Sequence, residues 1–231
     1  MIPWVLVDKA QVPGQVPGSG NDLRLMQRGA EFSIMLGQNE LMNSRLSGSE
    51  QALATLACEK IATRETPRLL IGGLGMGFTL RAALAVLGPK AEVVVAELVP
   101  AVVVWARGPM APVFGDSLSD PRVSIREADV RQLIRPAAES YDAILLDVDN
   151  GPDGLTRASN DSLYRRAGLS AAHRALRAGG VLAVWSSGPD AAFTQRLRQA
   201  GFDVEEKRAR ANGARGGARH VIWVATKVDV R

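Results

Sequence analysis

From Arg68 onward the chain alternates short, almost uninterrupted apolar runs with amphipathic stretches. The runs RLLIG, EVVVAEL, RVSIRE, YDAILLDV and GGVLAVWSS have strand length and are rich in β-branched residues. Between them lie GFTLRAALAVLG, VPAVVVWARG, DVRQLIRPAAE, SNDSLYRRAGLSAAHRALRAGG and PDAAFTQRLRQAG, each predicted as helix. A strand that is apolar on both faces must be covered on both faces. The alternation therefore predicts an α/β, Rossmann-like fold: a mostly parallel sheet between two layers of helices. The closing segment, FDVEEKRARANGARGGARHVIWVATKV, breaks this rhythm. Two strands joined by a glycine- and arginine-rich loop leave no room for a crossover helix, so they are predicted to pair antiparallel at one edge.

Ahead of Arg68 the pattern is weaker. Residues 11–20, QVPGQVPGSG, are Pro/Gly punctuation of a loop or linker. The stretch LRLMQRGAEFSIMLGQNELMNSRLSGSE holds two short apolar segments separated by GQNE and reads as a small hairpin. SGSEQALATLACEKIA then predicts a helix capped by Ser47 or Ser49, with Leu53, Leu56, Ala57 and Ile61 on one face. The expected division is a hairpin-like extension and linking helix over 1–62, followed by a nucleoside-binding catalytic domain over 63–231.

Composition narrows the class. A chain of 231 residues, 46% hydrophobic and 23% charged, suits one compact domain with a small extension. One cysteine, Cys58, excludes an internal disulfide framework and fits a reducing compartment. With only His173 and His220 beside it, a structural zinc site is not expected, nor any other metal. No apolar run reaches the roughly 18 residues of a membrane span. The opening MIPWVLVDKAQVPG lacks the layout of a signal peptide, so the expected location is cytoplasmic, with no membrane partner. The net charge of +4 could mark an anionic partner, but an Ala/Arg/Gly-rich composition accounts for it, and nucleic acid is not the expected ligand.

The chemistry begins at LLIGGLGMGFTLRAAL, a strand, a glycine turn and a helix. Gly73, Gly75 and Gly77 allow a tight turn and let a ligand approach the backbone and the helix N-terminus. Glu97 ends the next strand about 20 residues on, where a carboxylate binds ribose hydroxyls. Asp129 ends the third, where an acid can accept from an exocyclic amine. Three strand ends thus converge on a nucleoside-shaped site. A dinucleotide site reads G-x-G-x-x-G, and here the third glycine comes one residue early. Together with the antiparallel final pair, this favours S-adenosylmethionine or a relative of it over NAD. The run YDAILLDVDNGPDG then delivers Asp147, Asp149, Asn150 and Asp153 to the mouth of an apolar strand, which is costly unless a cation or hydrogen-bond donor meets them.

At this point the chain resembles a known family. RLLIGGLGMGFTLRAAL, VVVAEL, DPRVSIREADV and YDAILLDVDNGP are similar to successive core motifs of the spermidine synthase-like family, class I methyltransferase folds that transfer aminopropyl or methyl groups. The resemblance runs from about Leu41 to Lys227. It implies that Glu97 binds the ribose, that Asp129 with Val130 beside it holds the adenine, and that Gly73, Gly75, Met76 and Gly77 form the cofactor loop. It puts Asp147 in the place of the catalytic aspartate, touching both cofactor and acceptor, and Asp149 and Asn150 on the substrate side; Asp149 also reads as a simple turn residue. Ser186, at the end of the fifth strand, is a candidate for the acceptor pocket or for strand-end capping. A homodimer is also implied. An ammonium with a pKa near 10 is no nucleophile until it loses a proton, and a carboxylate beside it can orient the amine and accept that proton.

Three departures bear on the reaction. The family's glycine loop carries an Asp where this chain has Met76, its second loop aspartate falls at Asn150, and its Tyr-Gln pair falls at Ser49 and Glu50. An Asp in the loop would repel the carboxylate of intact S-adenosylmethionine. Two like charges about 4 Å apart at an effective dielectric near 20 cost roughly 4 kcal/mol. Met76 removes that penalty, and the expectation is methyl transfer from S-adenosylmethionine to a small amine-like acceptor. The alternative is a polyamine aminopropyltransferase using decarboxylated S-adenosylmethionine, with Glu50, Asp149 or Asp153 supplying the missing charge. A further alternative is a non-catalytic nucleoside- or RNA-binding protein using the basic loop 207–220, which reads first as a solvated hairpin tip because it lacks aromatics for base stacking.

Overall fold

A computed structural model describes residues 2–14, 22–148 and 161–228. Four strands come first: β1 (Val5–Ala10), β2 (Leu23–Arg28), β3 (Glu31–Leu36) and β4 (Asn39–Asn43). They form an antiparallel sheet in the order β1-β2-β3-β4. Helix α1 (Gly48–Lys60) links this sheet to β5 (Arg68–Gly72), α2 (Phe78–Val86), β6 (Glu92–Glu97), α3 (Pro100–Arg107), α4 (Ala111–Phe114), β7 (Val123–Glu127), α5 (Val130–Ile134) and β8 (Tyr141–Leu146). Then follow α6 (Asp161–Tyr164), α7 (Arg166–Ala175), β9 (Leu176–Ser186), α8 (Ala191–Gln199), β10 (Phe202–Arg210) and β11 (Arg219–Lys227).

The second sheet has the order β10-β11-β9-β8-β5-β6-β7. Pairings among β9, β8, β5, β6 and β7 are parallel, while β11 runs antiparallel to both β9 and β10. The α/β, Rossmann-like class and the antiparallel edge pair are as the sequence predicts. Strand order reverses at β5, which has β6 on one side and β8 on the other. Ligands bind at such a reversal, outside the carboxyl ends of the strands, because the connections leave to opposite faces and open a crevice there.

Alternate residues of the parallel strands feed two cores. Leu69, Ile71, Val93, Val95, Ala143 and Leu145 pack on the face that α1 covers, and Leu70, Ile144 and Leu146 on the other. Leu53, Ala54, Ala57 and Cys58 are the buried side of α1. Leu23, Leu25, Phe32 and Ile34 of the small sheet join the same apolar cluster, so that sheet is held over the carboxyl ends of the strands by a shared core.

Several local expectations are corrected. The N-terminal region is a four-stranded sheet rather than a short hairpin. Strand β1 escaped notice because Val5, Leu6 and Val7 are all exposed and show no alternation. Ser49 does not cap α1; it lies inside the first turn, fully buried, and Ser47 at the cap position makes no side-chain capping bond. The helix expected through Gly180 stops at Ala175. The next residues run as strand, with Tyr141 opposite Leu176 and Ala143 opposite Val181, so the extra chain is absorbed as an irregularity. Helix α5 ends at Ile134, two residues before Pro136, which has no N–H to donate back to the Gln132 carbonyl and so cannot extend the helix. Among the described residues no helix is long and apolar enough to cross a membrane, and no cluster of three potential metal ligands occurs.

Candidate active site

A cavity opens where the sheet order reverses. Its floor is Gly73 and Gly75 after β5, Glu97 and Leu98 after β6, Asp129 and Val130 after β7, and Asp147 and Val148 after β8. Its roof is apolar and comes from the small sheet: Leu23, Ile34, Leu36, Leu41 and Met42. About 140 Å³ is open to water-sized centres, where a single water needs roughly 10–15 Å³. The space therefore suits a ligand of many heavy atoms.

The glycine loop is shaped by its neighbours. Gly73 has φ +93°, and a Cβ there would stand 2.3 Å from the Asp147 carbonyl oxygen. Gly77, at φ +73°, lies against the Phe114 ring, which would meet a Cβ at 2.3 Å. Backbone on one side and a buried ring on the other cannot give way. Gly73→Ala is expected to destabilise the protein by about 2–4 kcal/mol, the sum of left-handed strain and the clash. A thermal melt checks this: an unchanged Tm would mean that the loop relaxes freely.

Glu97 is 7% exposed. Its Oε2 accepts from the Leu74 amide at 2.9 Å and Oε1 from the Val99 amide at 2.8 Å. Burial pushes its pKa up, against the pull of the backbone N–H groups. The carboxylate thus ties the glycine loop to the end of β6, and its remaining lone pairs are available to hydroxyl donors in the cavity. Asp129 caps α5 by accepting from the Arg131 amide at 2.9 Å, and pairs with the Arg131 guanidinium. Partial burial raises its pKa, but the Arg131 hydrogen bonds outweigh that and hold it below the ordinary value. Both acids therefore line the cavity while anchored from behind, as does Val130.

Asp147 sits one residue past β8, its amide donating to the Gly72 carbonyl at 3.0 Å. Thr79 Oγ1, in the first turn of α2, donates to Asp147 Oδ2 at 2.6 Å and lies 3.4 Å from the Glu50 carbonyl oxygen. The carboxylate is hemmed in by protein, although the residue keeps some exposure to the cavity. Burial first, and then the Glu50 carboxylate close by, push its pKa up to about 7. Burial also raises Glu50, against the Ser49 hydroxyl that donates to it at 2.7 Å. Two carboxylates close enough to repel one another form a site that favours a cation or shares a proton.

Other expected residues fall elsewhere. Met76 is 3% exposed and its side chain belongs to the apolar core, so neither it nor Gly77 lines the cavity. Ser186 shares the strand face of Leu182 and Val184, opposite Trp185; it is buried, its Oγ accepts from the Gly188 amide at 3.3 Å, and it does not line the cavity. Asp149, Asn150 and Asp153 lie outside the described residues. Cys58 is no nucleophile, since burial pushes its thiol up to about 12. Sequence reasoning did not find Thr79 or the apolar roof. Thr79 follows the glycine loop by two residues, a position whose side chain can turn back to the loop, but nothing in the pattern marks it.

No protein-family model matches the chain. A polyamine aminopropyltransferase of Korarchaeum cryptofilum is 31% identical over 136 residues, 58% of this chain. The match spans only 40% of that relative's length. Among solved structures, the spermidine synthase of Thermotoga maritima superposes with a TM-score of 0.71 at 17% identity, over 97% of this chain and 74% of the other. A probable spermidine synthase from Corynebacterium glutamicum gives 0.63 at 15% identity, over 96% and 82%. The fold is the class I methyltransferase-like fold with an N-terminal antiparallel sheet. The chain shares the fold of the spermidine synthases to which it is similar.

Proposed function

We propose that the protein is a transferase that moves an aminopropyl group from decarboxylated S-adenosylmethionine to a small amine. The observation that carries this reading is the pair of half-buried carboxylates, Asp147 at the cavity and Glu50 close enough to help raise its pKa. Such a pair is matched by ammonium groups and opposed by the carboxylate of the ordinary donor. At about 4 Å and an effective dielectric near 20, that opposition is worth roughly 4 kcal/mol, and half of it is more than tenfold in affinity. The likeness to an aminopropyltransferase at 31% identity supports the same reading. Methyl transfer was the expectation from Met76, but that side chain lies in the apolar core, whereas the Glu50 carboxylate acts on Asp147, which lines the cavity.

Glu97 and Asp129 would hold the nucleoside, and the apolar roof would exclude water from the sulfonium. Asp147 would orient the acceptor amine and take its proton, while closeness of the two reactants supplies much of the rate. The amine lone pair then attacks the methylene next to sulfur. The C–S bond breaks, and its electron pair stays on sulfur as a thioether. Parallel calorimetric titrations with decarboxylated S-adenosylmethionine, S-adenosylmethionine and methylthioadenosine test the reading. The decarboxylated donor is expected to bind at least tenfold tighter than the carboxylated one. The reverse order would restore methyl transfer, and no binding of any would remove the cofactor assignment.

A further inference from the structure

Behind Glu50 the hydrogen bonds continue away from the cavity. Ser49 Oγ donates to Glu50 Oε2 at 2.7 Å, and His220 Nδ1 lies 2.8 Å from the same Ser49 oxygen. Ser49 is fully buried in the first turn of α1; His220, on β11, is half-buried with its ring edge-on to Trp185, centroids 4.7 Å apart. The Ser49 proton is committed to Glu50, so Nδ1 carries the proton donated to Ser49 and Nε2 is the free end of the chain. At the other end, Thr79 Oγ1 donates to Asp147 Oδ2 and lies 3.4 Å from the Glu50 backbone carbonyl oxygen, which makes the two residues neighbours. The row Asp147, Glu50, Ser49, His220 thus runs from the strand-end carboxylate to a ring near the surface.

Aminopropyl transfer has a proton to dispose of. The acceptor enters as R–NH3+, must lose one proton before its nitrogen attacks, and leaves as a secondary ammonium. One proton is therefore released per turnover, beneath the apolar roof of the cavity. We propose that Glu50, Ser49 and His220 form the outlet for that proton, with His220 as its solvent-side end. This rests on the aminopropyl-transfer reading above. Asp147 takes the amine proton and passes it to the neighbouring Glu50 carboxylate. The ring exchanges to its Nε2–H tautomer, Glu50 hands the proton to Ser49 Oγ as the hydroxyl turns and gives its own to Nδ1, and Nε2 releases its proton to water, which restores the Nδ1–H form. Each group regains its starting proton count when the imidazole returns to its resting tautomer.

The surroundings of His220 suit the role. Burial lowers its pKa, so the ring is neutral at rest and can accept. Its charged neighbours are Glu50 across Ser49 on α1, Arg208 and Arg210 flanking its partner Ala209 on β10, and Arg219 next to it on β11; β9 presents the uncharged Trp185. Burial disfavours a lasting imidazolium, which helps release.

His220 and His173 are the chain's two histidines, so their ring signals can be followed by NMR in the full chain. Adding 1,4-diaminobutane with methylthioadenosine is expected to shift the His220 resonance and leave His173 in place, and Ser49→Ala is expected to remove the response. In turnover, His220→Gln keeps an N–H toward Ser49 but cannot relay. It is expected to lower kcat by 10- to 100-fold with acceptor KM changed less than threefold, and added imidazole is expected to restore part of the rate. A His220→Gln enzyme with the parent kcat from pH 6 to 9, or a histidine response that persists in Ser49→Ala, would overturn the outlet and leave aminopropyl transfer standing. A parent protein that binds both ligands but transfers nothing would overturn the proposed function, and the outlet with it.

Discussion

Replacing Asp147 by Asn is expected to abolish turnover and, above pH 8, to raise the stability of the unliganded protein. The first effect follows from the role proposed for it at the cavity: without the carboxylate the acceptor ammonium would lose its base and its counter-charge. A loss of at least 10³-fold in kcat/KM is expected, since general base catalysis alone accounts for about 10²–10⁴. Methylthioadenosine affinity should stay within a few fold, because the proposed function gives the nucleoside to Glu97 and Asp129. The second effect follows from the sign of the pKa shift. A carboxyl whose folded pKa is raised from 3.8 to about 7 binds its proton more tightly when folded. Its cost is therefore absent below the unfolded pKa, grows between the two values, and is complete above about 7. Three units would give an upper bound of roughly 4 kcal/mol. Access through the cavity, sharing with Glu50 and the lost Thr79 bond reduce that to about 1–3 kcal/mol. Asn should thus raise Tm by several degrees at pH 8.5 and by nothing near pH 4. A variant that is inactive and less stable at both pH values would mean that Asp147 is a structural residue.

Glu50→Gln is expected to invert the donor preference. With Glu50 neutral, the pKa of Asp147 comes down for want of the neighbouring charge, and the negative charge at that end of the cavity falls. Affinity for decarboxylated S-adenosylmethionine should fall by at least tenfold while that for the carboxylated form rises or holds. Methylthioadenosine, which carries no charge at that end, is the internal control and should move less than threefold. The pH dependence should change with it. In the parent chain, amine binding should strengthen as pH rises through about 7, because the ligand favours the ionised pair. In Glu50→Gln that rise should shift to lower pH. An unaltered donor preference would show that Glu50 does not face the ligand.

Much of this architecture was legible in the chain itself. Near-continuous apolar strands between amphipathic helices can only be buried on both faces, and that fixes a parallel sheet. Glycines at 73, 75 and 77 mark backbone that side chains cannot adopt, and acids at strand ends mark a ligand crevice. Asp147 stood out because a carboxylate at the end of YDAILL has to be answered by something. The N-terminal sheet was less legible, since an exposed edge strand such as β1 carries no alternation to read.

What the tertiary structure alone decided is which way side chains face and what they meet. Met76 and Ser186 sit at the right places in the sequence and turn into the core. Glu50 is nearly a hundred residues before Asp147, yet the packing of α1 on the parallel sheet sets the two carboxylates together. His220 reaches Ser49 across 171 residues of chain. Periodicity along a chain reports local geometry and one buried face, and it is blind to such pairs. A charge that changes donor choice, and a row of groups that can carry a proton, exist only once distant elements share one core. The sequence determined the fold and the cofactor crevice; the folded packing determined the charge inside it.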